Sequence, residues 1–440
     1  MTRRIVEIEL RRSAALWIGV LAAAVGWVMT ADAERWDGLW MTTVLVHHNI
    51  QWAIWPLALA AGAWQGRRDR AAGMTELLTS TPRPGAGRMA PLAVVVAGCL
   101  AGGYALSLLD GLARAMLAAS YQPPGWYWPI LVGALGVTAA AVLGLGLGQL
   151  MPSRLTAPLL AVGALVAIAV PQLLWEDTGA RALLLIPGYL GPTDDYSAVA
   201  WRSVAGQTAW FVALAATGWA LLVTGTRRRR LLAVLPAALG LALAVSVLPA
   251  VDRAAPRDPL AVELVCADGT PRVCVTRLYE PVLPQLVEPA RRALATLGRL
   301  PQPPTALVQE TGQYGTPVEQ RRDTVHLSLT VLGDGTISTG AGSTEEGILD
   351  GAGTWKCGAA DDDADAWNRI DAARAAAGLW LQGATAAPEV LWTPVRELAD
   401  QALVTLGTLP VEVQVARVAA MRDAALQCRP DLYDVLTTTT

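Results

Sequence analysis

The chemistry open to this 440-residue chain is narrow, because it carries three histidines and a single lysine. Lys356 follows Trp355, so a phosphate-cradling loop of the form GxxxxGK[ST] cannot be built anywhere in the sequence. ATP and Mg, if the protein uses them, must sit on another chain, and no cofactor is expected on this one. His326 lies in the alternating stretch "DTVHLSLTVL". A hydrogen-bonded structural histidine accounts for it there, and the absence of HExxH excludes a zinc peptidase of that type. In "DDDADAW", Asp361, Asp363 and Asp365 alternate as calcium ligands do, but the loop lacks the glycine and the distal glutamate of a calcium site. Acidic groups at a helix N-terminus are favourable without any metal. No metal site and no catalytic constellation are expected, so the chain itself is read as a non-enzyme.

A second group of polar residues sits where the sequence is otherwise apolar. In "VLVHHNIQWAIW", His47, His48, Asn49 and Gln51 fall within a candidate membrane span, with His47 and Gln51 on one helical face. Polar groups inside a membrane usually face a bundle interior or a wet cavity, which would make these four residues part of a pathway or a subunit interface. The plainer expectation, preferred on sequence alone, is that the span starts later and leaves them among the lipid headgroups.

The elements that must carry these residues follow from composition. The chain is 53% hydrophobic and 16% charged, whereas soluble domains carry about 25% charged residues. Residues 1–250 hold 18 Arg against 12 Asp and Glu, a net of +6; residues 251–440 hold 16 Lys and Arg against 25 Asp and Glu, a net of −9. A basic, apolar front and an acidic, more polar back belong in different solvents. Seven runs approach the roughly 20 apolar residues that a spanning helix needs: Ser13–Thr30, Thr43–Trp64, Pro91–Leu109, Pro129–Leu150, Leu155–Leu174, Val204–Thr224 and Leu231–Ala250. With the N-terminus in the cytoplasm, inside segments carry 14 arginines and outside segments 4, the bias of the positive-inside rule. That orientation places residues 251–440 outside. Trp36, Trp40, Trp126, Trp128, Trp175 and Trp201 would form an aromatic belt at the outer boundary. The first run also resembles a signal peptide with an A-x-A site at 31–33, but it is long and further spans follow at once. "GCLAG" and "GLGLG" supply GxxxG steps (Gly98 and Gly102, Gly144 and Gly148), predicting close helix packing.

The expected fold class is therefore a polytopic all-α membrane bundle, with a six-span unit over residues 1–230 and a seventh span at 231–250. An α+β disulfide-containing extracytoplasmic domain follows at 251–440. Within that domain "TALVQE" and "DTVHLSLTVL" alternate like strands. "LPQLVEPARRALATLGRL", "DAWNRIDAARAAAGLWLQ", "PEVLWTPVRELADQALVTLG" and "LPVEVQVARVAAMRDAALQC" have helical periodicity. Cys266, Cys274, Cys357 and Cys428 all lie there, an even number suited to two disulfides in an oxidising compartment. Three pairings are open. Cys266–Cys274 would close a turn around "ADGTPRV", and Cys357–Cys428 would tie the domain's end to its middle. Cys99 lies in the third span as a packing residue.

"GRRDRAAGMTELLTSTPRPGAGR", between the second and third spans, resembles the corresponding loop of type-2 ABC transporter permeases. The elements that match are the charged run Arg67–Arg70, Gly73, the Thr75–Leu78 helix, Ser80–Pro82 and Arg88. The resemblance covers residues 1 to about 230. It implies a coupling helix at 73–82 that contacts a separate ATP-binding subunit through Gly73, Met74, Thr75, Glu76, Leu77, Leu78, Ser80, Thr81 and Pro82. It also implies a second permease subunit, identical or not. The arginine-for-lysine bias and the added outer domain resemble actinobacterial transporters. The seventh span and residues 251–440 depart from the family's core unit, so the resemblance says nothing about them. From the residues alone, Met74, Leu77 and Leu78 form an apolar patch that a short helix must bury, in the membrane interface or in a groove on a partner. The bilayer is the remaining partner, and no nucleic acid is expected.

Overall fold

The computed structural model describes residues 2–31, 35–73, 84–175, 180–224, 226–312, 318–338, 342–357 and 363–438. The chain divides into two units, Met1–Asp32 with Leu39–Asp258, and Ala33–Gly38 with Pro259–Thr440.

The first unit is helical: α1 (Thr2–Arg12), α2 (Ala15–Thr30), α3 (Trp40–Asn49), α4 (Gln51–Gly66), α5 (Arg68–Ala71), α6 (Gly85–Leu106), α7 (Leu109–Ala118), α8 (Trp128–Leu150), α9 (Thr156–Trp175), α10 (Trp201–Val223), α11 (Arg227–Leu232) and α12 (Leu235–Val247). Among the described residues five helical stretches are long and apolar enough to cross a membrane: Gly85–Ala118, Trp128–Leu150, Thr156–Leu174, Trp201–Val223 and Arg228–Val247. These long apolar helices suit a membrane-spanning helical protein. The second predicted span is two helices, broken at Ile50, and the third starts earlier than Pro91 and runs further. Pro91 is inside α6, six residues from its start.

Helix α8 is central, packing against α4, α6, α9 and α10. Of its apolar stretch 61% is buried, against 17% for α9 and for Arg228–Val247, so those outer helices leave most of their leucines and valines for lipid. Glycine sets the closest crossing. A Cβ on Gly62 or Gly66 would run into the backbone of Ala141 or Leu145, and one on Gly144 or Gly148 into the backbone of Leu59 or Ala63. Helices α4 and α8 thus meet backbone to backbone, as expected for the second GxxxG step. The first behaves differently. Around Gly98 and Gly102 a Cβ would meet nothing, and it is the neighbouring Gly103 that seats α6 on Gly19 of α2. GxxxG spacing fixes which residues share a face but not whether that face is turned inward.

The second unit begins with a contribution from the α2–α3 connection. Arg35 bridges Leu332 in antiparallel fashion, and the Trp36 ring stacks on Tyr279 at 5.5 Å. Trp36 is therefore packed within this unit, and Trp40 is buried in the first unit edge-on against Trp126.

A four-stranded sheet orders β1 (Leu264–Cys266), β2 (Arg272–Thr276), β3 (Ala306–Gln309) and β4 (Thr324–Leu327). The first pair is antiparallel and the others parallel. Helix α13 (Leu283–Leu297) makes the β2–β3 crossover and packs on both strands. The stretch expected to be one strand, "DTVHLSLTVL", is split: β5 (Thr330–Val331) leaves the sheet to pair with β6 (Ile337–Ser338). A turn closes this hairpin, with the Asp334 carboxylate accepting from the Thr336 amide at 2.9 Å. Helices α14 (Thr344–Leu349), α15 (Ala364–Gln382), α16 (Thr393–Gly407), α17 (Val411–Leu426) and α18 (Leu432–Thr437) complete the unit. Ser343 and Glu346 form a capping box on α14.

Two buried arginines organise this unit's interior. Gly351, Ala352 and Gly353 are all left-handed, at φ 60°, 54° and 74°. That bend turns carbonyls inward, and Arg374 meets them, donating to Thr354 O at 2.8 Å and Trp355 O at 3.2 Å while pairing with Asp350 at 2.7 Å. Arg422 donates to Ala352 O and Arg322 O, and burial pushes its guanidinium below the ordinary arginine range. Cys266 joins Cys274 directly across β1 and β2, and Cys357 joins Cys428 just beyond α17, leaving Cys99 free.

Alkylation of the denatured protein without reductant is expected to modify one thiol, Cys99, and five after reduction; four further reactive thiols before reduction would contradict both pairings. Gly148→Leu is expected to cost about 3 kcal/mol or more of bundle stability through overpacking, whereas Gly98→Leu stays within about 0.5 kcal/mol. Thermal melts in detergent, followed by size-exclusion chromatography, separate the two.

Candidate functional site

Two places in the first unit gather the residues that sequence singled out. At one end, α1 and α5 are held together by charge. Glu9 accepts from both terminal nitrogens of Arg68 at 3.2 Å, and Arg68 also reaches Asp69 at 3.4 Å. Hydrogen bonding to Glu9 raises Arg68 above the ordinary arginine range. The Arg67 guanidinium lies 3.8 Å over the Trp64 ring, a cation–π contact that leaves its charge at the end of α4. Gly73 ends this segment in the left-handed conformation, φ 67°, the geometry in which glycine terminates helices. Met74, Thr75, Glu76, Leu77, Leu78, Ser80, Thr81 and Pro82 lie outside the described residues. Pro84 directly precedes α6. Gly85 lies near the carbonyl of Val223, the last residue of α10.

The second place is the break between α3 and α4. His47, His48 and Gln51 are fully enclosed by protein, at 0%, 1% and 0% exposure. Their side chains pack inside the bundle, beside the break at Ile50, and none faces its surface. His47 Nε2 lies 2.9 Å from Tyr104 O and 3.0 Å from Ser107 Oγ, both on or beside α6. His48 Nδ1 lies 2.9 Å from Pro129 O at the start of α8. A carbonyl can only accept, so the proton sits on Nε2 of His47 and on Nδ1 of His48. Gln51 Nε2 donates to His48 O at 3.3 Å. The ring of Tyr104, completely buried, lies against His47 with centroids 4.3 Å apart.

Glycine again makes the room. A Cβ at Gly133 would collide with Tyr104 Oη, and one at Gly136 with Gln51 Oε1. Pro129, Gly133 and Gly136 lie on successive turns of α8 and present one face to the cluster.

Asn49 parts company with its neighbours. It is exposed and lines a cleft of about 440 Å³ with Thr42, Gln172, Asp194 and Asp195. Thr42 Oγ1 donates to Asp195 at 3.2 Å, while Asp194 is held by Arg257 at 2.8 Å and Ser197 at 2.9 Å. The backbone of Gly188, φ 84°, packs on the carbonyls of His48 and Asn49 between cleft and cluster.

Sequence reasoning missed Tyr104, Ser107 and Gln207. Tyr104 and Gln207 are polar residues in apolar helices and Ser107 directly follows α6, and Gln207 ties the loop between α9 and α10 by donating to Leu184 O and Tyr189 O, both at 3.0 Å. The available signal was a polar side chain that no apolar span requires. In the second unit His326 is hydrogen-bonded to Glu310 at 2.5 Å. Asp363 caps α15 by accepting from the Asp365 amide at 3.0 Å, and Asp361 lies outside the described residues. Among the described residues no three His, Cys, Asp or Glu side chains are grouped to hold a metal.

Comparison with known proteins finds no matching family model, no matching curated protein and no matching solved structure.

The Glu9–Arg68 pair is partly exposed, with side chains 23% and 39% accessible, so its coupling is expected at about 0.5 kcal/mol. Glu9→Arg and Arg68→Glu should each loosen α1, and the double exchange should restore it. Hydrogen exchange across residues 2–12 measures this.

Proposed function

We propose that this chain is the membrane-spanning subunit of a transporter, with the layout of an ABC permease. A separate ATP-binding subunit supplies the energy, because this chain has no phosphate loop. The observation that carries the reading is the segment from Gly66 to Arg88. It resembles the coupling loop of type-2 permeases in its charged run, glycine, Thr75–Leu78 and Ser80–Pro82, and its flanks support the same role. Arg68 is tied to α1 through Glu9, Arg67 caps the end of α4 over Trp64, and Gly73 provides a left-handed exit from α5. Force applied at residues 74–83 would reach α1, α4 and α6 directly.

In this reading the arginine-rich end is cytoplasmic, and residues from 251 onward, with their two disulfides, lie outside the cell. The cycle is export. ATP binding closes the partner ATPase, residues 73–82 move with it, and the bundle opens outward. One six-span unit lines half a pathway, so a second permease subunit completes it. The chain performs no catalysis of its own, and its outer domain serves binding or gating.

The test is a pull-down from native membranes in detergent with partners identified by mass spectrometry, followed by the variant Glu76→Lys with Leu77→Asp. Loss of a central contact costs about 2 kcal/mol or more, roughly thirty-fold in Kd, so the ATPase should be retained by the parent chain and lost from the variant. Unchanged association and transport in the variant would remove the coupling role from this segment.

A further inference from the structure

Four buried atoms of the polar cluster have no partner among the described residues: His47 Nδ1, His48 Nε2, Gln51 Oε1 and Tyr104 Oη. Their side chains are no more than 1% exposed. The hydrogen bonds already made fix what each atom offers. His47 donates through Nε2 to the Tyr104 carbonyl and His48 through Nδ1 to the Pro129 carbonyl, so the remaining ring nitrogens present bare lone pairs. Gln51 Nε2 lies 3.3 Å from both the His48 carbonyl and His48 Nδ1; with the amide nitrogen donating to that carbonyl, the free atom is the acceptor Oε1. The phenol alone brings a proton. Three acceptors and one donor remain, and the hydrogen bonds given above satisfy none of them.

A small group rich in N–H or O–H would. We infer that the cluster is a binding site for such a donor, water or a primary ammonium, held between the α3–α4 break and the Pro129–Gly133–Gly136 face of α8. Glycine at 133 and 136 lets Tyr104 Oη and Gln51 Oε1 reach that face, since a Cβ at either position would collide with them. Buried water in proteins typically takes about three hydrogen bonds from otherwise unsatisfied groups, which matches this inventory. Intramembrane polar groups that line a wet interior mark pathways and moving joints. The inference stands on the cluster alone and is independent of whether an ATPase docks at residues 73–82.

X-ray radiolytic footprinting of the full chain in detergent tests it, since bound water generates radicals in place. Tyr104 and His47 should oxidise at the rate of exposed Tyr127, and equally buried Phe211 should stay unmodified. A saturable rise in Tm with ammonium chloride, absent with sodium chloride, would identify the ammonium form instead. A second measurement reads the sign of two substitutions. Tyr104→Phe and Gln51→Met lower Tm if these atoms hold a bound donor, and raise it if they are buried dry, because removing an unpaired polar atom relieves its desolvation. Labelling of Tyr104 no faster than Phe211, with no ammonium-dependent shift in Tm, would overturn the proposal.

Discussion

The contact on which the bundle depends is the crossing of α4 and α8, where glycines bring two helix backbones together. Lipid offers no hydrophobic drive for one apolar helix to prefer another, so association rests on close packing and interhelical hydrogen bonds. Gly62, Gly66, Gly144 and Gly148 supply the packing. The cost is helix propensity, about 0.5–1 kcal/mol per glycine relative to alanine, offset by contacts along the whole crossing. Because α8 also carries α6, α9 and α10, its position relative to α4 sets the frame for the rest of the unit.

The same closeness creates the polar interior. Helix α4 starts at Gln51, directly after the break at Ile50, and the crossing brings that start against α8. Gly133 and Gly136 then leave room for a phenol and an amide that a larger residue would exclude. His47 and His48 are held by the carbonyls of Tyr104 and Pro129; the first lies in the last turn of α6, where helical carbonyls lack amide partners, and the second accepts through its remaining lone pair. A polar group in a membrane interior is tolerated when its partners are in place. These two carbonyls provide them for one nitrogen of each imidazole.

The second unit solves a different problem. Its sheet is small, and its interior admits two arginines where an apolar core would exclude charge. Arg374 is tolerated because a left-handed bend at residues 351–353 turns carbonyls toward it, and Asp350 balances its charge. Removing either partner of such an arrangement would strand the other, which makes the bend and the guanidinium mutually dependent. The unit also recruits Arg35 and Trp36 from the connection between α2 and α3, a long-range contribution to its packing.

What the sequence determined by itself was set by composition and period. Apolar runs of sufficient length marked the helices, and helical periodicity found α13, α15 and α17. Two pairs of cysteines at separations of 8 and 71 are bonded as their positions suggested. The tertiary structure decided which way each feature faces. GxxxG at Gly98 and at Gly144 have equal spacing, yet one face is open and the other is the main crossing, because helix rotation depends on neighbours far along the chain. His47, His48 and Gln51 were visible as polar residues in a span, but their enclosure required the break at Ile50 and partners 57 and 81 residues away. Trp36 and Trp40 read as boundary aromatics because local sequence carries no record of Tyr279 or Trp126. Local chemistry fixes what a side chain can do; only the packed chain decides what it meets.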